Sequence, residues 1–134
     1  MKVFLDTNVL VSAVATRGLS ADVVRLVIAE HELLTGAVNL TELQRVLRDK
    51  LHTPARTVRE LDAFLRTHTI VPKPAAVLTV SVRDPDDRWV LASAMAGAAD
   101  VLVTGDRDLL DLGDRAPLPI VDPRGFWELL HRPR

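Results

Sequence analysis

RDPDDRWVLASAMAGAADVLVTGDRDLL, residues 83–110, decides how this chain is read. It spells an acidic turn, a helix, a strand and a second acidic turn. Asp84 offers a side-chain oxygen to cap a helix, and Pro85 brings a ring whose fixed φ suits the first helical position. Val90, Leu91, Ala94 and Met95 then recur at helical spacing until Gly97 and the Ala98-Ala99-Asp100 turn end the pattern. Val101-Leu102-Val103 follows without polar alternation, as expected of a parallel strand covered on both faces, and runs into Thr104-Gly105-Asp106-Arg107-Asp108. Helix and strand run antiparallel in an α/β layer, so the start of this helix and the end of this strand share an edge. Asp87 and Asp106 can therefore converge where open α/β sheets bind ligands.

The same alternation extends outward in both directions. Lys2-Val3-Phe4-Leu5 is a short strand entering the polar turn Asp6-Thr7-Asn8, and Val9 to Val14 resume a helical pattern. Gly18 and Ser20 are expected to close that helix and cap the next, whose stripe is Val23, Val24, Leu26, Val27 and Ile28. Leu33-Leu34-Thr35 makes a second strand, and Leu40, Leu43, Val46 and Leu47 mark a helix over 37–51, with Glu42 off the stripe. Thr53-Pro54 reads as a cap and first helical residue, followed by a buried face of Val58, Leu61, Phe64 and Leu65. Thr69-Ile70-Val71 is a third strand and Pro72-Lys73-Pro74 its rigid exit, while 75–82 shows no clear period. Beyond the opening stretch, Leu109 to Leu112 suggest a short helix, Pro119-Ile120-Val121 an edge strand, and Asp122-Pro123 the cap of a last helix through Leu130. Strands alternating with helices predict a three-layer α/β/α fold with a central parallel sheet, as a single domain over 1–134.

Composition narrows the chemistry. The 134 residues are 48% hydrophobic, enough for one substantial core, and no apolar run approaches the roughly 20 residues of a membrane span. With no secretory pattern at the start, a cytoplasmic protein is expected. Zero cysteines exclude disulfides and thiolate metal sites, and the four histidines lack paired ligand spacing. A net charge of −1 argues against binding nucleic acid by bulk electrostatics. The charges are nevertheless segregated: Arg45 to Lys73 holds seven Lys/Arg against three Asp/Glu, and Asp84 to Asp122 nine acids against three bases. One basic arm and one acidic pocket follow.

In a doubly wound sheet the first strand is central and the fourth lies beside it, so Asp6 and Asp106 end neighbouring strands. Asp87 comes from the helix before the fourth strand and Glu42 from the helix after the second, which lets four carboxylates share one crevice. Two carboxylates ~4 Å apart repel by about 4 kcal/mol at an effective dielectric near 20, so protons or a cation must compensate. Oxygen-only ligation suits Mg²⁺ or Mn²⁺, which can polarise a phosphodiester and generate a hydroxide nucleophile. Each acid also has an ordinary explanation. Asp6 can turn the chain, Asp84 and Asp106 can cap helices, Asp87 can serve a helix dipole, and Glu42 can be an exposed helical acid. Their joint placement at one sheet edge favours the site, with Asp84, Asp86 and Asp108 left open as further members.

Four stretches carry a resemblance. Phe4-Leu5-Asp6-Thr7-Asn8-Val9-Leu10-Val11-Ser12-Ala13 resembles the opening motif of the PIN-domain family, in particular its VapC-like toxin branch. Thr41-Glu42-Leu43-Gln44-Arg45-Val46-Leu47 resembles the second motif, Arg83-Asp84-Pro85-Asp86-Asp87 the third, and Val103-Thr104-Gly105-Asp106-Arg107-Asp108-Leu109-Leu110 the fourth. The resemblance implies a PIN-like fold and a ribonuclease that cuts single-stranded RNA with Mg²⁺ or Mn²⁺. Asp6, Glu42, Asp87 and Asp106 would be its catalytic and metal-binding acids, Asn8 and Thr104 supporting polar residues. It also implies a toxin–antitoxin system, a cognate antitoxin partner and a homodimer. Gly36 stands where relatives often place a serine, which opens the question of how the Glu42 helix is capped. On this reading Asp6 and Asp106 hold the main ion, Glu42 and Asp87 complete its shell or orient the attacking water, and Arg45, Arg48, Lys50 and Arg56 guide the RNA backbone.

Two other readings remain. In a haloacid-dehalogenase-like phosphohydrolase, Asp6 would be a covalent nucleophile, but such enzymes want a second Asp where this chain has Asn8. In a non-catalytic module, the acidic pocket would bind Mg²⁺ without hydrolysis.

Overall fold

Apolar residues two apart in a strand face the same way, and here that period divides the core into two layers. The strands are β1 (Lys2–Leu5), β2 (Glu32–Gly36), β3 (Thr69–Val71), β4 (Val101–Val103) and β5 (Ile120–Val121). They form one parallel sheet in the spatial order β3-β2-β1-β4-β5, in a computed structural model that describes residues 1–77, 82 and 84–132. Val3, Leu5, Leu33, Val101 and Val103 face one layer, built by α1 (Thr7–Ala15), α2 (Leu19–Glu30), α3 (Ala37–Asp49), α4 (Ala55–Leu65) and α7 (Pro123–Leu130). Phe4, Leu34 and Leu102 face the other, where Val90, Leu91 and Ala94 of α5 (Pro85–Ala96) and Leu109 of α6 (Arg107–Leu110) cover them. Both faces of the central strands are thus buried, which is why their sequences lack polar alternation.

Order reverses between β2-β1 and β4, as expected of a sheet wound in both directions from β1. Val3 pairs with Val101 and Leu5 with Val103, so Asp6 and Thr104 leave adjacent strands side by side. Asp84 caps α5 by accepting from Asp86 N at 2.9 Å, with Pro85 next, as the sequence predicts. Arg83 and residues 78–81 of the segment without clear period lie outside the described residues.

Several local expectations change. Ser20 lies inside α2, because Asp22 N bonds to Gly18 O and makes Gly18 the cap. Thr53 does not cap α4: its N–H closes the preceding helix on Leu47 O, and Pro54 takes the cap position. Helical stripes read from sequence are also too wide. Val58 and Leu65 are buried on α4 while Phe64 is 46% exposed, and Ile28 and Met95 likewise face outward. Leu65→Ala should therefore cost roughly 2–5 kcal/mol in urea unfolding, whereas Phe64→Ala should stay within about 0.5 kcal/mol. Equal effects would show that α4 buries a different face.

Candidate metal centre and active site

Asp6 is the first residue past β1 and the cap of α1, so its carboxylate is fixed by backbone geometry before any other contact forms. It is 4% exposed. Oδ1 accepts from Thr7 N at 2.8 Å and from Asn39 Nδ2 at 2.9 Å; Oδ2 accepts from Thr104 Oγ1 at 2.7 Å and Asn8 Nδ2 at 3.3 Å. These donors come from α1, α3 and the end of β4. Thr104 Oγ1 in turn accepts from Asp106 N at 3.0 Å, and Gly105 N donates to Asn8 Oδ1 at 2.8 Å. The ends of β1 and β4 are thereby laced into one polar network, and in it stand Asn8 and Thr104.

Asn39 was not singled out from the sequence. It is fully buried in the first turn of α3, where its Oδ1 accepts from Gly36 N at 3.2 Å while its Nδ2 reaches Asp6 and Thr7 Oγ1. This bond back to the cap N–H answers the question left by the missing serine: the third helical residue stabilises the helix start from within. Gly36 is needed there for space, since a Cβ would lie 2.8 Å from Asn39 Oδ1 and 3.1 Å from Ser93 Oγ. One signal was available. Asn39 stands four residues before Leu43 and eight before Leu47, on the buried stripe, where an amide needs partners.

Asp6, Glu42, Asp87 and Asp106 all line one cavity of about 610 Å³, together with the exposed acids Asp84 and Asp86. Two of these acids, Asp87 and Asp106, also group with Asp108, one carboxylate oxygen from each lying within 4.8 Å of the others. Glu42, exposed on α3, is at the limit of hydrogen-bond reach from Thr7 Oγ1, 3.5 Å. The capping explanations hold as well: Asp106 Oδ1 accepts from Asp108 N at 2.9 Å, and Asp87 sits in the first turn of α5. Capping does not account for Asp87 Oδ2. That oxygen is buried without a partner among the described residues, on a carboxylate only 6% exposed. A buried, unpartnered oxygen beside two further carboxylates is a hard-donor set that fits Mg²⁺ or Mn²⁺.

The electrostatics follow from this crowding. Burial above all, and the charges of Glu42 and Asp106, push the Asp6 carboxyl up to about 6, against the downward pull of its bonds from Thr104 and Thr7. Asp87 lies further above the ordinary carboxylate range, through burial first, then through Asp106, whose carboxylate would accept a bond from the protonated form and repels the charged one, then through the charges of Asp84 and Asp6. Of the four basic residues expected to guide RNA, Arg45 lines the acidic cavity, while Arg48 lines a neighbouring groove between α3 and α4. Lys50 caps the end of α3, and Arg56 is exposed and paired with Glu60 at 3.0 Å.

A family model described as PIN domain matches residues 2–108. Among solved structures, the chain is similar to VapBC2 from Rickettsia felis, crystallised bound to a DNA fragment from their promoter. That similarity has 20% identity and a TM-score of 0.64, and covers 91% of this chain and 98% of that one. It is similar also to FitAcB from Neisseria gonorrhoeae, at 15% identity, with the same coverage and a TM-score of 0.62. At these identities the likeness speaks for the fold. None of the curated proteins compared matches.

The raised carboxyls make a signed prediction for metal-free protein. Between about pH 4 and 6 the folded state holds an Asp6 proton that the unfolded chain has released, so this group's contribution to stability is full below pH 4 and is lost as pH rises through 6. For Asp6 alone the loss is on the order of 3 kcal/mol, and Asp87 extends it to higher pH. Thermal unfolding in chelator should show this fall from about pH 4 upward, Mn²⁺ should reverse it, and Asp6→Asn should remove the Asp6 share of it while the Asp87 share remains. A metal-free midpoint that rises with pH would contradict the assigned burial.

Proposed function

The chain belongs to the PIN domain family, and on that premise we propose that it is a Mg²⁺- or Mn²⁺-dependent endoribonuclease of single-stranded RNA, the toxin of a VapC-like toxin–antitoxin pair. The observation that carries the proposal is the unpartnered buried oxygen of Asp87 in the cavity that Asp6, Glu42 and Asp106 also line. Asp87 and Asp106 would hold the ion, with Asp6 at the same sheet edge and Asp108 within reach. A divalent cation held there would supply positive charge for the phosphoryl oxygens and make a bound water more acidic.

The remaining work falls to the protein. Asn8, Asn39 and Thr104 keep the Asp6 carboxylate from rotating, so its negative charge stays in a fixed orientation at the edge of the cavity. Glu42, open to solvent on the opposite wall, is placed to accept a proton from the attacking water. Arg45 offers positive charge on the lining itself, and Arg48 continues it along α3 toward the phosphates that flank the cut. A cognate antitoxin is the partner the fold likeness to VapBC2 and FitAcB supports, with a homodimer as the assembly and the cytoplasm as the place of action. No helix among the described residues is long and apolar enough to cross a membrane.

The phosphohydrolase alternative asks Asp6 to attack phosphorus. Both of its oxygens already accept two hydrogen bonds each inside the fold, which leaves no free approach for a nucleophile. Antitoxin-free protein should cleave a mixed single-stranded RNA with Mn²⁺ and stop on chelation. Asp106→Asn should lower cleavage roughly 100-fold or more. Asp87→Asn should do the same while raising the metal-free unfolding temperature, because a neutral amide escapes the burial and the neighbouring carboxylates that push the Asp87 carboxyl up. Full activity in either variant, or none in Mn²⁺-loaded wild type, would overturn the nuclease reading and favour a non-catalytic module.

A further inference from the structure

Trp89 stands apart from the apolar residues around it on α5. Val90, Leu91 and Ala94 pack into the core layer beneath the sheet, but Trp89 belongs to neither core cluster among the described residues. Trp127, the chain's other tryptophan, packs against the core and stacks on His131. Trp89 is instead half-buried in the wall of the acidic cavity, two residues beyond Asp87. Val11, Val38 and Val46 supply further apolar lining to that cavity, and the Lys73 ammonium lies 4.4 Å from the centre of the indole ring. An aromatic ring, three valines and a cation thus share one cavity with the carboxylates.

That combination has a chemical meaning if the carboxylates handle a phosphodiester. The nucleosides are joined directly to the phosphorus, so an RNA with its phosphate at the acids must lay the adjoining bases against these walls. A base has a flat, weakly hydrated face, which a tryptophan receives without regard to sequence; the Lys73 ammonium, which sits over the indole face in the free protein, would yield that face to the base and move to the next phosphate. We propose that Trp89, with Lys73, is the stacking platform for a nucleobase next to the scissile phosphate, seated against the apolar wall formed by Val11, Val38 and Val46. The proposal rests on the RNA reading given above and assigns a base-binding role to residues outside the acidic set. Trp89 contributes its face and Lys73 its charge; neither takes part in bond breaking.

Fluorescence isolates this role. In a Trp127→Phe background Trp89 is the only tryptophan, and Ca²⁺, a larger ion with looser geometry than Mg²⁺, replaces the active metal to slow cleavage. A short mixed-sequence single-stranded RNA should quench Trp89 emission as it binds. An abasic ribose-phosphate oligomer of equal length should bind about 5- to 100-fold more weakly, by anisotropy of an end label, and leave the emission unchanged. Trp89→Leu should weaken intact RNA by a similar factor and leave the abasic oligomer unaffected, with Trp89→Phe recovering part of the loss. Equal binding of the two oligomers, or RNA binding without a change in emission, would overturn the platform while leaving the nuclease reading intact. Emission that responds only to a protein partner would also overturn it and assign the wall to that partner. If wild type neither binds nor cleaves RNA, both readings fall together.

Discussion

One buried carboxylate organises this molecule. Asp6 ends the central strand and begins the first helix, and nearly all of its hydrogen-bonding capacity is met by groups from three separate parts of the chain. Burying an ionised group is expensive unless it is paired and hydrogen-bonded, so the surrounding amides and hydroxyls are there out of electrostatic necessity. Asn39, Thr104 and Asn8 can satisfy it only if α3 and β4 come up against β1 in a single register. The polar network therefore specifies how the layers meet, and the apolar layers supply the stabilisation that lets a charge sit there at all. Asp87 is the counterpart, a carboxylate whose burial the described side chains leave uncompensated.

The contrast separates scaffold from site. An acid that only caps a helix, such as Asp122, spends one oxygen on a backbone N–H and stays exposed, whereas Asp84 and Asp106 cap helices and line the cavity as well. Those that gather around the cavity do so at a cost in mutual repulsion of about 3 to 4 kcal/mol for a pair near 5 Å at a dielectric near 20. Such a cost persists in a fold when a cation or a proton relieves it. Stability and chemistry thus pull in opposite directions at the same sheet edge, as they do at many functional sites.

Much of this was legible in the residues alone. Uninterrupted apolar triplets such as Val101-Leu102-Val103 announce covered parallel strands, and Asp84-Pro85 marks a helix start that the structure reproduces. The placing of Asp6 and Asp106 at neighbouring strand ends follows from winding order, which is a rule of topology more than of local sequence. Less legible were features decided by three-dimensional closeness. Thr53 carries a capping side chain, yet its own N–H is drawn back to Leu47, and no pattern in the sequence shows that competition. Phe64 is apolar and at helical spacing, but the layer beneath α4 has room for Val58 and Leu65 and not for it. Asn39 broke an otherwise apolar stripe, a visible anomaly whose partner thirty-three residues away only the fold identifies.

The pairing of β1 with β4 has one more implication, for when the pocket comes into being. Lys2 to Leu5 leave the ribosome about a hundred residues ahead of one of their neighbours in the sheet, β4, and of the Thr104 hydroxyl that locks Asp6. A nascent chain cannot close that loop until β4 has been translated, since domains condense only once their long-range partners are available. A chain translated only as far as α5 therefore carries Asp6, Glu42 and Asp87 without the finished cavity, and whatever the completed pocket does is withheld until β4 and the residues after it have emerged.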